Sequence, residues 1–328
     1  MILRARHVVS MEGAPIENGA VVVEGSIITD VGRWSDLKRE RRGEVLDLGE
    51  CALLPGLINA HCHLDYTGLR GTIPRPASFT SWIRDINERK AALSPEDYLR
   101  SIGEGFAEAA RFGTTTILNL EAFPELLSSM PPPLLRTWWF PEFINFRTPC
   151  APGEIIEELR RDLGREGWLG GFGLAPHAPY TASAKLYKDV AERSRTHQLP
   201  ITTHLAESAE EKQMFGSRSG PLFELMEDLG RSMDDCGGIT PLALLLRMGV
   251  MDERWIVAHL NELPERDLAK LSDTPKFHIV HCPRSHRYFG HEPFRMEALR
   301  DLGFNICVGT DSLASNNDLS LFSELRHL

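Results

Sequence analysis

The feature that most restricts this chain is a texture that begins after Leu54-Pro55-Gly56, where short apolar runs alternate with amphipathic stretches. Eight runs read as buried strands: Leu57–His63, Thr114–Leu120, Leu135–Ile144, Gly171–His177, Pro200–His204, Trp255–His259, Phe277–His281 and Asn305–Asp311. Helical periodicity fills most intervals, over Ser94–Arg111, Gly153–Leu163, Ala182–His197, Pro241–Met248, Pro264–Leu271 and Glu292–Leu302. Ser94 and Thr181 stand where N-caps belong. Such an alternation, sustained over about 250 residues, predicts an α/β chain folded as a (β/α)8 TIM barrel. The competing doubly wound fold places a Gly-rich turn after a strand, whereas Gly170-Gly171-x-Gly173 opens one.

Residues 1–53 differ and read as short strands, with a hairpin signal at Glu24-Gly25 between two β-branched runs. The expected organisation is a small β-sandwich portion over 1–53 and the barrel over 54–328. The final segment Leu319–Leu328 reads as an eighth helix cut short, so a C-terminal part of the small β-domain is expected to be missing.

Charge narrows the function classes. With 36 basic and 46 acidic residues the net charge is −10, which argues against a phosphate-backbone partner. No run approaches 18 apolar residues, and Met1-Ile-Leu-Arg-Ala-Arg-His7 lacks the apolar core of a signal peptide. The six cysteines make no CxxC pair and read as free thiols, so a cytoplasmic protein without a membrane partner is expected.

Chemistry in a barrel sits at the C-terminal ends of the strands. There this chain places His61-Cys62-His63, His177, His204, His259, His281 and Asp311. One HxH pair means little, since 12 His in 328 residues produce roughly 0.4 by chance. The whole set is a different matter. His61 and His63 fall on one face of a strand by the two-residue period. With His204 and Asp311 they can converge on one divalent ion, for which nitrogen and oxygen donors suit zinc, with iron as competitor. Burying four such groups without an ion would be costly.

Leu54-Pro-Gly-Leu-Ile-Asn-Ala-His-Cys-His63 resembles the strand-one metal motif of the amidohydrolase superfamily. Thr203-His-Leu-Ala-Glu207 is similar to the HxxE segment of its deaminase branch, and Val308-Gly-Thr-Asp-Ser312 to its strand-eight aspartate. The resemblance implies a metal held by His61, His63, His204 and Asp311. No lysine lies between Lys90 and Lys185, so the carboxylated lysine of binuclear relatives is missing and one ion is expected. It further implies that Glu207 shuttles a proton from water to a ring nitrogen, that Asp311 accepts the second, and that His259 steadies the attacking group. The reaction so implied is hydrolytic deamination of an aminated heterocycle, with self-association as a feature of many relatives.

Substrate choice rests on weaker signals. Phe79-Thr-Ser-Trp82-Ile83, expected in the long loop after strand one, resembles the aromatic segment lining the pocket in deaminases of adenosine-like thioethers. His177 resembles the substrate histidine of strand four. His281-Cys-Pro-Arg284-Ser-His286-Arg-Tyr-Phe-Gly-His departs from the HCPxSN of guanine and S-adenosylhomocysteine deaminases and resembles a group assigned to aminodeoxyfutalosine. That nucleoside of menaquinone synthesis carries a benzoate, for which Arg284, Arg287, Tyr288, Phe289 and Phe294 are candidate partners. The alternatives are an adenosine, S-adenosylhomocysteine or guanine deaminase, a triazine-type hydrolase, and a metal-binding relative without activity.

Overall fold

The computed structural model describes residues 1–40 and 43–328, which form two compact units, Met1–Leu57 and Ile58–Leu328. In the first, strands β1 (Ile2–Val8), β2 (Ile16–Glu24) and β3 (Ile27–Arg33) run antiparallel in sequence. Strands β4 (Val45–Asp47) and β5 (Ala52–Leu53) each add to β1 in parallel. The hairpin expected at Glu24-Gly25 is present: Glu24 pairs with Ile27, and Gly25 takes a φ of +62° that a side chain would resist. A small core of Ile2, Ala20, Val22 and Leu37 lies under the sheet.

The second unit carries strands β6 (Leu57–His63), β7 (Thr114–Glu121), β8 (Arg136–Phe143), β9 (Gly170–Phe172) and β10 (Ala175–Pro176). After them come β11 (Ile201–Leu205), β12 (Trp255–His259), β13 (His278–His281), β14 (Asn305–Val308) and β15 (Asp311–Ser312). One sheet runs β10-β8-β7-β6-β15, with β9 also on β8, and the other β11-β12-β13-β14. Two joints close them into a barrel. A parallel bridge links Leu174 to Ile201, and the eighth barrel strand pairs with β13 through β14 and with β6 through β15.

Strands four and eight, each read from the sequence as one run, are broken, and glycine explains both breaks. A Cβ on Gly173 would lie 2.1 Å from the Phe140 ring and 2.6 Å from the Pro200 carbonyl oxygen. One on Gly309 would lie 2.7 Å from the His61 carbonyl oxygen and 3.0 Å from its nitrogen. The missing side chain thus lets the eighth strand press onto the first. Thr310 N donates to the His61 carbonyl at 3.1 Å, and the Asn59 amide bonds both Thr310 N and Thr310 Oγ1.

The outer helices form for local reasons. Pro95–Arg111 starts with Pro95 and a reciprocal cap between Ser94 and Asp97, and Pro241–Met248 is capped by Thr240. Ala184–His197 is capped by Ser183 instead of the expected Thr181, whose hydroxyl is engaged by His177 Nδ1 at 2.7 Å. The aromatic segment at Phe79, expected in a loop, opens the helix Phe79–Ala91 behind a Ser78–Ser81 capping box. Apolar faces of helices and strands meet around Trp255, Tyr187 and Phe277 on one side of the barrel and around Ile102, Ile117 and Trp139 on another. Each such burial contributes roughly 1.5–3 kcal/mol. Among the described residues no helix is long and apolar enough to cross a membrane.

Gly309→Ala is expected to lower stability by about 2 kcal/mol or more, because backbone atoms of His61 cannot step aside. Urea unfolding at an unchanged slope reads the shift; an unaltered midpoint would contradict the close approach of strands one and eight.

Candidate metal centre and active site

The two-residue period of β6 sends His61 and His63 to one face and Cys62 to the other, where Cys62 joins the core against Ile102 and Phe106. The His61 ring stands 5.1, 5.0 and 5.4 Å from those of His63, His204 and His259. His61, His63 and His204 bring ligand atoms within 4.8 Å of one another, as do His61, His259 and Asp311. The first strand, the fifth, the sixth and the eighth therefore meet at one point.

The hydrogen bonds around this point leave lone pairs aimed inward. His204 Nδ1 lies 3.0 Å from the His177 carbonyl oxygen and donates to it, which turns His204 Nε2 inward. That Nε2 faces His63 Nε2 at 3.2 Å. Asp311 Oδ2 accepts from Ser285 Oγ at 2.5 Å and Ser315 Oγ at 3.2 Å, which turns Oδ1 to within 3.8 Å of both His61 Nε2 and His63 Nε2. Both nitrogens of His61 and Nε2 of His259 are buried without a hydrogen-bond partner. Burial, with the neighbouring imidazoles, pushes the pKa values of His61 and His63 well below the usual range and keeps the rings neutral. Neutral imidazoles with unused nitrogens beside a carboxylate suit a divalent cation.

Backbone strain gathers at the same rim. Ala206, His259, Leu260 and Asp311 adopt φ of +50°, +75°, +51° and +56°, a region that costs a residue with a side chain about 1–3 kcal/mol. Ala206, His259 and Leu260 lie where strands five and six end, and Asp311 opens the last piece of strand eight.

Glu207 follows the turn after His204 and is buried, with Oε1 3.6 Å from His259 Nε2. Its main chain is held on both sides: Glu207 N donates to Glu211 Oε2 at 2.7 Å, and Asn261 Nδ2 donates to the Glu207 carbonyl at 3.0 Å. Burial raises the Glu207 carboxyl well above the ordinary range, helped by the charges of Asp311 and Glu211. A carboxyl so placed can hold a proton at neutral pH. Burial also lifts Glu211 to about 8.

A cleft of about 590 Å³ opens onto His63, His204, Glu207 and Asp311. Its size is that of a small-molecule site. Phe79 and Trp82 line one wall, stacked at 6.0 Å, and Phe289 meets their edges from behind at 5.5 and 5.1 Å. His177 lines the cleft beside Glu142, Nε2 to Oε1 at 3.8 Å. Lys90, Arg84 and Arg147 line it too, and neither arginine has a carboxylate partner among the described residues.

Four expected substrate contacts lie elsewhere. The Arg284 guanidinium is held by Asp318 at 2.7 Å and by buried Glu324 at 3.7 Å, and it does not reach the cleft. His286 Nδ1 bonds Asn261 Oδ1 at 3.0 Å and so supports the residue that holds Glu207. His281 stacks on Phe294 at 4.0 Å. Tyr288 reaches out to the Pro74 carbonyl at 3.2 Å. The sequence reading missed Glu142 and the buried carboxyls Asp65 and Glu121, the first two lying near Lys90. Burial raises Asp65 to about 8, with Lys90 opposing. Glu121 and Glu142 close strands two and three, so the strand-end rule would have found them.

The profile of the Amidohydrolase family matches residues 52–328. The chain is 28% identical over 342 residues to a 5-methylthioadenosine/S-adenosylhomocysteine deaminase of Pyrococcus furiosus, covering 99% of this chain and 74% of the relative. It superposes with a TM-score of 0.78 and 25% identity on a zinc-bound adenosine deaminase from Xanthomonas campestris, over 99% of this chain and 72% of the other. With Helicobacter pylori aminofutalosine deaminase bound to methylthio-coformycin the TM-score is 0.86 at 22% identity, over 99% and 80% of the two chains, a likeness of fold. The chain belongs to the amidohydrolase family, hydrolases that act on carbon–nitrogen bonds.

Ser285→Ala leaves Asp311 Oδ2 with the Ser315 hydroxyl alone. Zinc affinity, read by competition with a chromogenic chelator, is expected to fall about tenfold; an unchanged affinity would remove Asp311 from the ligand set.

Proposed function

We propose that this chain is a metal-dependent hydrolytic deaminase of adenine-type nucleosides, with His61, His63, His204 and Asp311 holding one ion, zinc by its donor set. The observation that carries the reading is Glu207. It is buried, 3.6 Å from His259, and looks into the cleft that His63, His204 and Asp311 also line. A binding module would have no use for such a group. When bound, the ion supplies Lewis acidity and lowers the pKa of water toward 7.

The residues of the chain supply the rest. Water adds to the amidine carbon of the base. Glu207 carries one of its protons to the ring nitrogen, and Asp311 passes the other to the exocyclic amine, which leaves as ammonia. His259 Nε2 has no other hydrogen-bond partner and steadies the oxygen of the tetrahedral centre. His177, its Nδ1 tied to Thr181, presents Nε2 to the base, and Phe79 and Trp82 offer an apolar wall. The name of the Pyrococcus relative supports an adenine nucleoside.

Aminodeoxyfutalosine is the finer reading, which would place the enzyme in menaquinone synthesis. It is supported by the resemblance of the His281–His291 segment, although Arg284 takes no part in the cleft. A carboxylate partner is available instead in Arg84 and Arg147, cationic groups on the cleft without a carboxylate of their own among the described residues.

Ammonia release by zinc-loaded protein tests the reading against aminodeoxyfutalosine, S-adenosylhomocysteine, methylthioadenosine, adenosine and guanine. Preference for the first is expected, and guanine as best substrate would overturn the adenine assignment. Glu207→Gln is expected to keep its zinc and lose about 10²–10⁴-fold in kcat. Arg147→Met is expected to raise KM about tenfold for the two carboxylate-bearing nucleosides and leave adenosine unchanged; equal effects on all three would end the carboxylate role.

A further inference from the structure

We infer that Glu210 is a positioning residue, which clamps the aromatic wall of the cleft to the segment that carries Glu207. Its carboxylate accepts hydrogen bonds from Phe79 N at Oε1 and Thr80 N at Oε2, both at 2.9 Å, and from the Thr80 hydroxyl. Phe79 and Thr80 are the first two residues of the helix Phe79–Ala91, whose leading N–H groups have no partner within the helix itself. Ser78 satisfies the third N–H, on Ser81, at 3.0 Å. The helix start is therefore fully bonded only with Glu210 in place, and an anion there is favoured by the helix dipole.

Glu210 reaches this point from 130 residues away, on the helix Ala209–Ser217. The same short segment is itself fixed. Ser208 Oγ caps it by accepting from Glu211 N at 3.1 Å, and Glu211 Oε2 accepts from Glu207 N at 2.7 Å. One turn of chain thus holds the proton-transfer carboxyl with Glu211 and the aromatic wall with Glu210. Phe79 and Trp82, whose rings face the cleft, sit at the clamped end of their helix. Their placement against the base is set from the side of His204 and Glu207, not by the chain that follows β6.

The consequence is a split in the kinetics, and it rests on reading the cleft as a nucleoside site. With zinc-loaded protein, Glu210→Ala is expected to raise KM for methylthioadenosine about tenfold, with kcat within about twofold and zinc content unchanged. Glu210→Gln, which keeps one acceptor oxygen, should fall between. Hydrogen exchange of the segment 78–83 is expected to quicken at least about tenfold in Glu210→Ala. A loss of kcat with KM unchanged, or exchange as slow as in the wild type, would overturn the clamp. Should Glu210→Ala fail to fold, protection of the Phe79 and Thr80 amides in the wild-type protein decides, and unprotected amides refute the inference. Exchange reads the clamp independently of turnover: silence toward methylthioadenosine with normal protection overturns the nucleoside reading and leaves the clamp standing.

Discussion

Two ring nitrogens that face each other at 3.2 Å, Nε2 of His63 and Nε2 of His204, are the constraint on which the rest of the site depends. His204 Nδ1 is committed to the His177 carbonyl, which turns Nε2 toward His63. Around that pair, burial keeps the imidazoles of His61, His63 and His259 neutral, and Asp311 is turned toward them by two serine hydroxyls. Converging lone pairs in a dry pocket repel unless a cation lies among them. The apolar shell of the barrel offsets the cost of assembling them, to which the strained strand ends add.

That assembly explains details which otherwise look unrelated. Gly309 lacks a side chain because the eighth strand must press onto the His61 backbone to bring Asp311 within reach. Asp311, His259 and Ala206 take positive φ where the chain turns at the C-terminal parts of strands eight, six and five. Asn261 and His286 form a relay whose end is the Glu207 carbonyl, so a histidine outside the lining of the cleft still bears on the placement of Glu207.

The cleft divides its work between two supports. Strand ends, stiffened by neighbouring strands, hold the charged and metal-seeking groups. Helix Phe79–Ala91 holds the aromatic wall, and its N-terminus is bonded across 130 residues to the segment after β11. The residues of the His281–His291 segment do other things: Arg284 pairs with Asp318 and Glu324, and His281 stacks on Phe294. A local string of residues that resembles a specificity motif carries no information about which way each side chain turns.

Much of the fold was legible because its cause is local. A two-residue period puts His61 and His63 together whatever surrounds them, and a serine before Pro95 caps a helix by its own geometry. The strand-end rule likewise marked His204, His259 and Asp311 from sequence, and the resemblance of Thr203–Glu207 marked Glu207. What the sequence could not decide are the pairings across long separations: Glu210 with Phe79, Arg284 with Asp318, and Glu142 with His177. A carboxylate's partner depends on which backbones the folded chain brings near, and on which competing donor is closer once water is excluded. Residue type and period thus determined the barrel and its metal-seeking set, whereas only tertiary packing decided which cations face the cleft and which are already neutralised.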